Sequence, residues 1–309
     1  MAEKEPAVGT VLAQAGQAVT ETGSAEGKPV VAGAGSAAPG AVIEIGEGAR
    51  KPRGKKFQLT DRQNRLLSLL SPILLLVLWE VGVWIGFIDG RFFPPPTQIA
   101  GEFWTLLTNG VLLGDLLASL FRIFGGFFLG AIPGLIIGLS MGLFRPIRLI
   151  FRPVVSATYP IPKLALMPLI LIIFGLGETS KMVTIALGTF FMVLINTMAG
   201  VVNLDKIYMD VAHNFGASRR DYYMKVALPG AMPLIFTGLE LGMGMALLLI
   251  VAAEMNGADK GIGYLIWSSY QIYNLKAMFV AFIVISFLGY VFAEALTSLQ
   301  RRVVPWKQQ

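Results

Sequence analysis

The sequence predicts an all-α membrane protein with six transmembrane helices and both termini in the cytoplasm. Three observations carry this. The chain of 309 residues is 55% hydrophobic and only 14% charged, against about 25% charged in ordinary soluble domains. Its mean hydropathy is +0.67. Six apolar runs approach or exceed the roughly 20 residues that cross about 30 Å of hydrocarbon.

The first fifty residues differ from the rest. GTVLAQAGQAVTETGSAEGKPVVAGAGSAAPGA is rich in Ala and Gly, without period. It buries too little surface to offset its chain entropy, so residues 1–56 read as a disordered tail ending in a basic strip, ARKPRGKK. A secretory signal would need a continuous apolar core after a basic start, and none is present there. The strip reads as a headgroup-facing segment ahead of the first span.

The spans follow at 68–87, 116–144, 153–176, 182–202, 231–253 and 277–299. Lys and Arg set their direction. From Arg50 onward, seventeen lie before span one, between spans two and three, between four and five, and after six; four (Arg91, Lys181, Lys260, Lys276) lie in the opposite loops. The net charge of +6 is thereby explained by orientation, and nucleic acid is not required. Between spans one and two, FFPPP leads into an amphipathic helix with Thr97 as its N-cap and Ile99, Phe103, Leu106 and Leu107 on its apolar side.

Span two carries glycines at 126, 130, 134, 138 and 142, every fourth residue. They form one stripe that lets another backbone approach closely. Gly238 and Gly242 repeat the pattern in span five. GLSMG (138–142) matches a hydrolase pattern. That pattern needs a strand–turn–helix elbow, and Ser140 lies inside a span. With no cysteine and one histidine, no thiolate, disulfide or His-built metal site is expected. ARKPRGKK lacks the first glycine and the Ser/Thr of a P-loop, so no cofactor is expected in this chain, and energy for active transport must come from elsewhere.

Span three is broken by Pro160, Pro162 and Pro168, with Lys163 among them. Irregular backbone at membrane depth occurs where it is buried in protein or lines a water-filled cavity. Ionisable groups in spans are functional candidates by default. Lys163, Arg122, Glu254, Pro160 and Pro162 are the candidates for a translocation path; Glu80, Glu240 and Glu294 are weaker ones. For Lys163 two roles stand: lining the path, or satisfying a carboxylate or the carbonyls that the prolines free.

The longest polar run of the second half is MDVAHNFGASRRDYYMKVALPGAMP, 209–233. It holds the single histidine, a Gly-Ala-Ser turn and a Leu-Pro read as stopping a helix. Asp210-Val211-Ala212, Gly216-Ala217-Ser218 and Leu228-Pro229 resemble the "EAA" loop of bacterial ABC-importer permeases, with Asp in place of Glu and Val in place of the first Ala. YPIPKLALMPLILIIFGLGETSK (159–181), VAAEMNGADKGIGYLIW (251–267) and FFPPPT extend the resemblance to the nitrate/sulfonate/taurine/bicarbonate importer group over about Leu66 to Trp306. The resemblance implies the type I (MetI-like) permease fold in a bacterial cytoplasmic membrane. It implies a second permease copy, an extracytoplasmic solute-binding protein and separate ATPase subunits that bind ATP and Mg. It implies a coupling helix at about Lys206–Phe215, with Arg219, Arg220 and Asp221 at its contact rim. The solute implied is a small anion. A self-contained secondary transporter or channel is the alternative, for which internal repeats would speak.

Overall fold

The computed structural model describes residues 61–306. The Ala/Gly-rich tail, the basic strip and Lys307 lie outside the described residues. The described chain is helical throughout: α1 (Asp61–Trp84), α2 (Pro96–Thr108), α3 (Val111–Leu143), α4 (Arg145–Thr158), a 3-10 turn (Lys163–Leu166), α5 (Met167–Phe174), α6 (Glu178–Val202), α7 (Lys206–Asn214), a turn Arg219–Asp221 with a π-helical stretch Tyr222–Ala227, α8 (Leu228–Met255), α9 (Ile262–Gln271) and α10 (Leu275–Val303).

Among the described residues, four helical stretches are long and apolar enough to cross a membrane: Val111–Leu143, Glu178–Val202, Tyr222–Met255 and Leu275–Val303. A fifth is the pair Arg145–Thr158 and Lys163–Phe174, bent by 85° at its break, and α1 contributes a shorter apolar stretch, Leu70–Trp84. The break falls where Pro160 and Pro162 remove two N–H donors. Pro168 is harmless in the first turn of α5, where its N–H would have no partner.

The glycine stripe of α3 packs on α6. A Cβ on Gly126 would lie 2.6 Å from Ile185 Cβ, on Gly130 2.3 Å from the Ala186 carbonyl oxygen, and on Gly134 2.8 Å from that of Phe190. Gly138 and Gly142 would meet Leu194 O at 2.7 Å and Val201 Cβ at 2.6 Å. Each distance is shorter than any real Cβ contact, so the two backbones meet only because the side chains are absent. Gly238 of α8 makes the same approach to Asn196 of α6, with 2.8 Å to its Cβ. Helix α6 is thereby the central post, flanked by α3 and α8. The core between them holds Ile123, Phe127, Ile185, Val193, Leu249 and Ile250. A second core joins α2, α9 and α10 through Ile99, Leu106, Leu265, Ile266, Val280 and Ala281.

Two local expectations are corrected. Thr97 is not the N-cap of α2; Pro95 is, without a side-chain cap. Thr97 instead gives its N–H to Glu80 Oε2 at 3.1 Å and its hydroxyl to Glu80 Oε1 at 2.8 Å. The carboxylate of α1 supplies the anionic cap that the helix start calls for. The Leu-Pro does not stop a helix either. Leu228 and Pro229 sit within one continuous helical stretch, because the preceding turns are π-wound and Leu228 N–H reaches back to Tyr223 O. The wider winding relieves the contact that a proline ring makes with the carbonyl four residues earlier.

Candidate functional site

The polar loop is built from the residues upward as a short, exactingly capped helix. Asp205 accepts the Ile207 N–H at 3.1 Å and starts α7. The helix ends in a Schellman closure: Gly216 N–H to His213 O at 3.0 Å and Ala217 N–H to Ala212 O at 3.0 Å. Gly216 has φ of +67°, a conformation that a Cβ disfavours. Ser218 then caps the next turn, accepting the Asp221 N–H at 3.2 Å and donating its hydroxyl to the Asp221 carboxylate at 2.5 Å. Lys225 pairs with Asp221 at 2.7 Å and, by that hydrogen bond first, then by Ser218, holds its carboxyl below the usual carboxylate range. Ala212 is buried under α7. Asp210, Val211 and Arg220 face outward. Leu228 and Pro229 open α8.

What the residue types alone did not reveal is the outer face of α7. Ile207, Tyr208, Val211 and Phe215 are 60, 59, 48 and 87% exposed. The i, i+4, i+8 spacing of Ile207, Val211 and Phe215 was the available signal. An apolar helix face at a polar loop marks a contact surface.

The span charges gather at the other end of the bundle. Arg122 of α3 is 4% exposed. Its Nε and Nη2 donate to Glu178 Oε2 and Oε1 at 2.5 and 2.7 Å, and its Nη1 to Glu254 Oε1 at 2.7 Å and to Lys260 O at 2.6 Å. Glu254, 1% exposed, also accepts from Ser119 Oγ at 2.8 Å and from Gly263 N–H at 2.8 Å. Asp115 accepts the Gly261 N–H at 2.8 Å and Ser119 accepts that of Ile262 at 2.8 Å. The node ties α3, α6 and α8 to the loop before α9. Of its members, Arg122 and Glu254 are candidates read from sequence; Asp115, Ser119 and Glu178 are not, since their spacing of 56 to 146 residues leaves no local pattern.

Lys163 serves the break in the third span. Its ammonium donates to Thr158 O, Tyr159 O and Ile161 O at 3.1, 2.9 and 2.8 Å, and lies 4.4 Å from the Phe191 ring centre. Of the two roles open for it, the contacts are those of a partner for freed carbonyls. It also borders an otherwise apolar cavity of about 380 Å³. Lys181 does the same for the turn before α6, donating to Leu176 O and Gly177 O at 3.0 and 3.2 Å. Glu240 accepts from Thr297 and Glu294 from Ser298.

Residues 110–307 match the family model described as "Binding-protein-dependent transport system inner membrane component". The chain is 34% identical over 245 residues to the taurine transport system permease protein TauC of Escherichia coli (strain K12), covering 78% of this chain and 89% of that one. It is 31% identical over 223 residues to the nitrate import permease protein NrtB of Leptolyngbya laminosa, covering 69% and 80%. Among solved structures, the MetNI methionine ABC transporter in inward-facing form contains a chain with a TM-score of 0.50 at 20% identity, covering 62% of this chain and 95% of that chain. An all-helical membrane fold, a glycine-spaced α3 on α6 and a match spanning most of the chain agree: the protein belongs to the family of inner-membrane permease components of binding-protein-dependent ABC transport systems.

Proposed function

We propose that this chain is the membrane-spanning subunit of an ATP-driven importer, coupled to a separate ATPase through residues 205–229. The observation that carries the proposal is α7: a short helix fixed at both ends by its own caps, with Ile207, Tyr208, Val211 and Phe215 turned outward. Such a helix lays its apolar face into a groove of a partner. ATP hydrolysis belongs to that partner. Arg220 and Asp221 lie beside the contact. The chain crosses the bacterial cytoplasmic membrane six times with both termini inside, α1 and the broken span supplying the crossings beyond the four long ones. It pairs with a second copy and receives solute from an extracytoplasmic binding protein.

The solute is a small anion of the sulfonate or nitrate kind, an inference from the relatives' names. Arg122, Glu254, Lys163, Pro160 and Pro162 frame the path rather than contact solute: the charges are engaged inside the fold, and the prolines set the bend.

The test is a pull-down from solubilised membranes, comparing the parent with a variant whose residues 206–221 are a Gly/Ser linker. Recovery of an ATPase subunit with the parent only is expected. Recovery with neither overturns the proposal in favour of a self-contained transporter.

A further inference from the structure

Helix α4 begins RPIRLIFR. Its arginines, Arg145, Arg148 and Arg152, are spaced three and four apart, which places them on one stripe of a helix at 100° per residue. The opposite side carries Ile147, Ile150, Phe151 and Val154, of which Ile150 and Val154 are 68 and 57% exposed. No residue of α4 is buried. None of the three arginines has an ion pair or side-chain hydrogen bond among the described residues, whereas Arg91 and Arg122 are both paired. Three unpaired cations beside apolar, outward-facing residues place the first turns of α4, where the broken span begins, at the membrane–water boundary.

The middle cation is set apart by a cavity. A hollow of about 590 Å³ lies between α4 and the coupling segment, bordered by Arg148, Asp210, His213, Tyr222 and Tyr223. It is within the size range of small-ligand sites, about 300–1,000 Å³. Asp210 is the one carboxylate on its border, so the charge balance with the flanking stripe is positive.

We propose that the arginine stripe of α4 is a binding site for the phosphodiester headgroup of an acidic phospholipid of the cytoplasmic leaflet, with the headgroup entering the hollow beside Arg148. Charge complementarity selects the occupant: guanidinium groups match phosphate oxygens, the apolar side of α4 faces acyl chains, and the leaflet surface is anionic. A lipid held there touches α4 on one side and borders α7 and the π-helical stretch on the other, so it bears on the segment assigned to coupling. The inference rests on the orientation given under Proposed function, but lipid retention requires no ATPase, so it stands or falls separately from the coupling reading.

The experiment uses the full chain in nanodiscs of mixed phosphatidylglycerol and phosphatidylcholine, then counts retained lipid by native mass spectrometry. The parent should retain phosphatidylglycerol preferentially. Each of Arg145→Gln, Arg148→Gln and Arg152→Gln should lower that occupancy about fivefold, the worth of one basic residue at an anionic surface, and the triple variant should lose the preference. Arg148→Lys should keep most of it, which excludes misfolding as the cause. Arg301→Gln/Arg302→Gln, a basic pair at the end of α10, should leave it unchanged. An unchanged preference in the triple variant overturns the proposal, as does an equal loss in the α10 pair, which would mean general charge attraction. Displacement of the lipid by millimolar inorganic phosphate or taurine would also overturn it, in favour of a soluble-anion site. Leu149→Cys, in a chain without other cysteines, should resist an impermeant thiol reagent in intact cells and react in lysed ones; reaction in intact cells would overturn the orientation and the lipid site with it.

Discussion

Replacing Arg122 with Met should destabilise the bundle far more than it alters solute affinity. The side chain uses four of the five N–H groups of its guanidinium, two on Glu178, one on Glu254 and one on the Lys260 carbonyl. The two carboxylates differ in what they lose. The Glu178 side chain is 50% exposed and is solvated readily once freed, whereas that of Glu254 is 0% exposed. Removing one partner of a buried pair costs about 3–5 kcal/mol, because the other charge is left without compensation. Most of that cost belongs to Glu254; the Glu178 contact is worth at most about 1 kcal/mol. For a chain of this size the loss corresponds to a drop in melting temperature on the order of 10 °C. The assay is a thermal melt of the detergent-solubilised protein, run with Arg122→Met, Glu254→Met and the double variant. Because the double variant leaves neither buried member of the Arg122–Glu254 pair without its partner, and the freed Glu178 is half exposed, it should recover at least half of the single-variant loss. A melting temperature within about 2 °C of the parent, with a raised KM for uptake, would refute the reasoning and put the guanidinium in contact with solute.

Three further outcomes follow from the same geometry. Gly130→Ala should cost about 1–3 kcal/mol by overpacking against Ala186, while Gly114→Ala on the same helix, with nothing within 4 Å of the new Cβ, should be neutral or stabilising by up to about 1 kcal/mol; paired thermal melts check both. Lys163→Met should remove the ammonium donor from the Tyr159 and Ile161 carbonyls at the break, while Thr158 O keeps the Ile161 N–H, costing on the order of 1–3 kcal/mol, and Lys163→Arg should restore part of it; equal melting of all three forms would remove the structural role. Gly216→Val should cost roughly 1–2 kcal/mol for a β-branched residue at positive φ and reduce uptake, while Gly216→Asn, a residue tolerated there, should stay near the parent in uptake assays.

Composition and period made the bundle legible. Five glycines at a spacing of four report a helix contact without saying which helix is met; the partner, α6, emerges only when Ala186 and Phe190 carbonyls are seen to occupy the space. Polarity marked the loop, and Gly216 in it marked the left-handed turn. The exposed apolar face of α7 was masked in the sequence by its polar neighbours, since a nine-residue helix offers little period to read. The node at Arg122 was half legible. A buried charge in a span stands out, but its partners come from α6 and α8, and pairing over such separations is a tertiary fact. The π-wound stretch before Pro229 was not legible, because a proline ordinarily signals a stop and only the winding of the preceding turns accommodates it.

The central claim concerns the outward face of α7, and a site-specific photo-crosslink tests it most directly. A benzophenone amino acid replaces Phe215, 87% exposed, and in a control replaces Phe87, 84% exposed beyond the end of α1. Illumination of membranes, followed by mass spectrometry of the adducts, should give a conjugate with an ATPase subunit from position 215 and none from position 87. No ATPase adduct from 215, or equal adducts from both positions, would contradict the account.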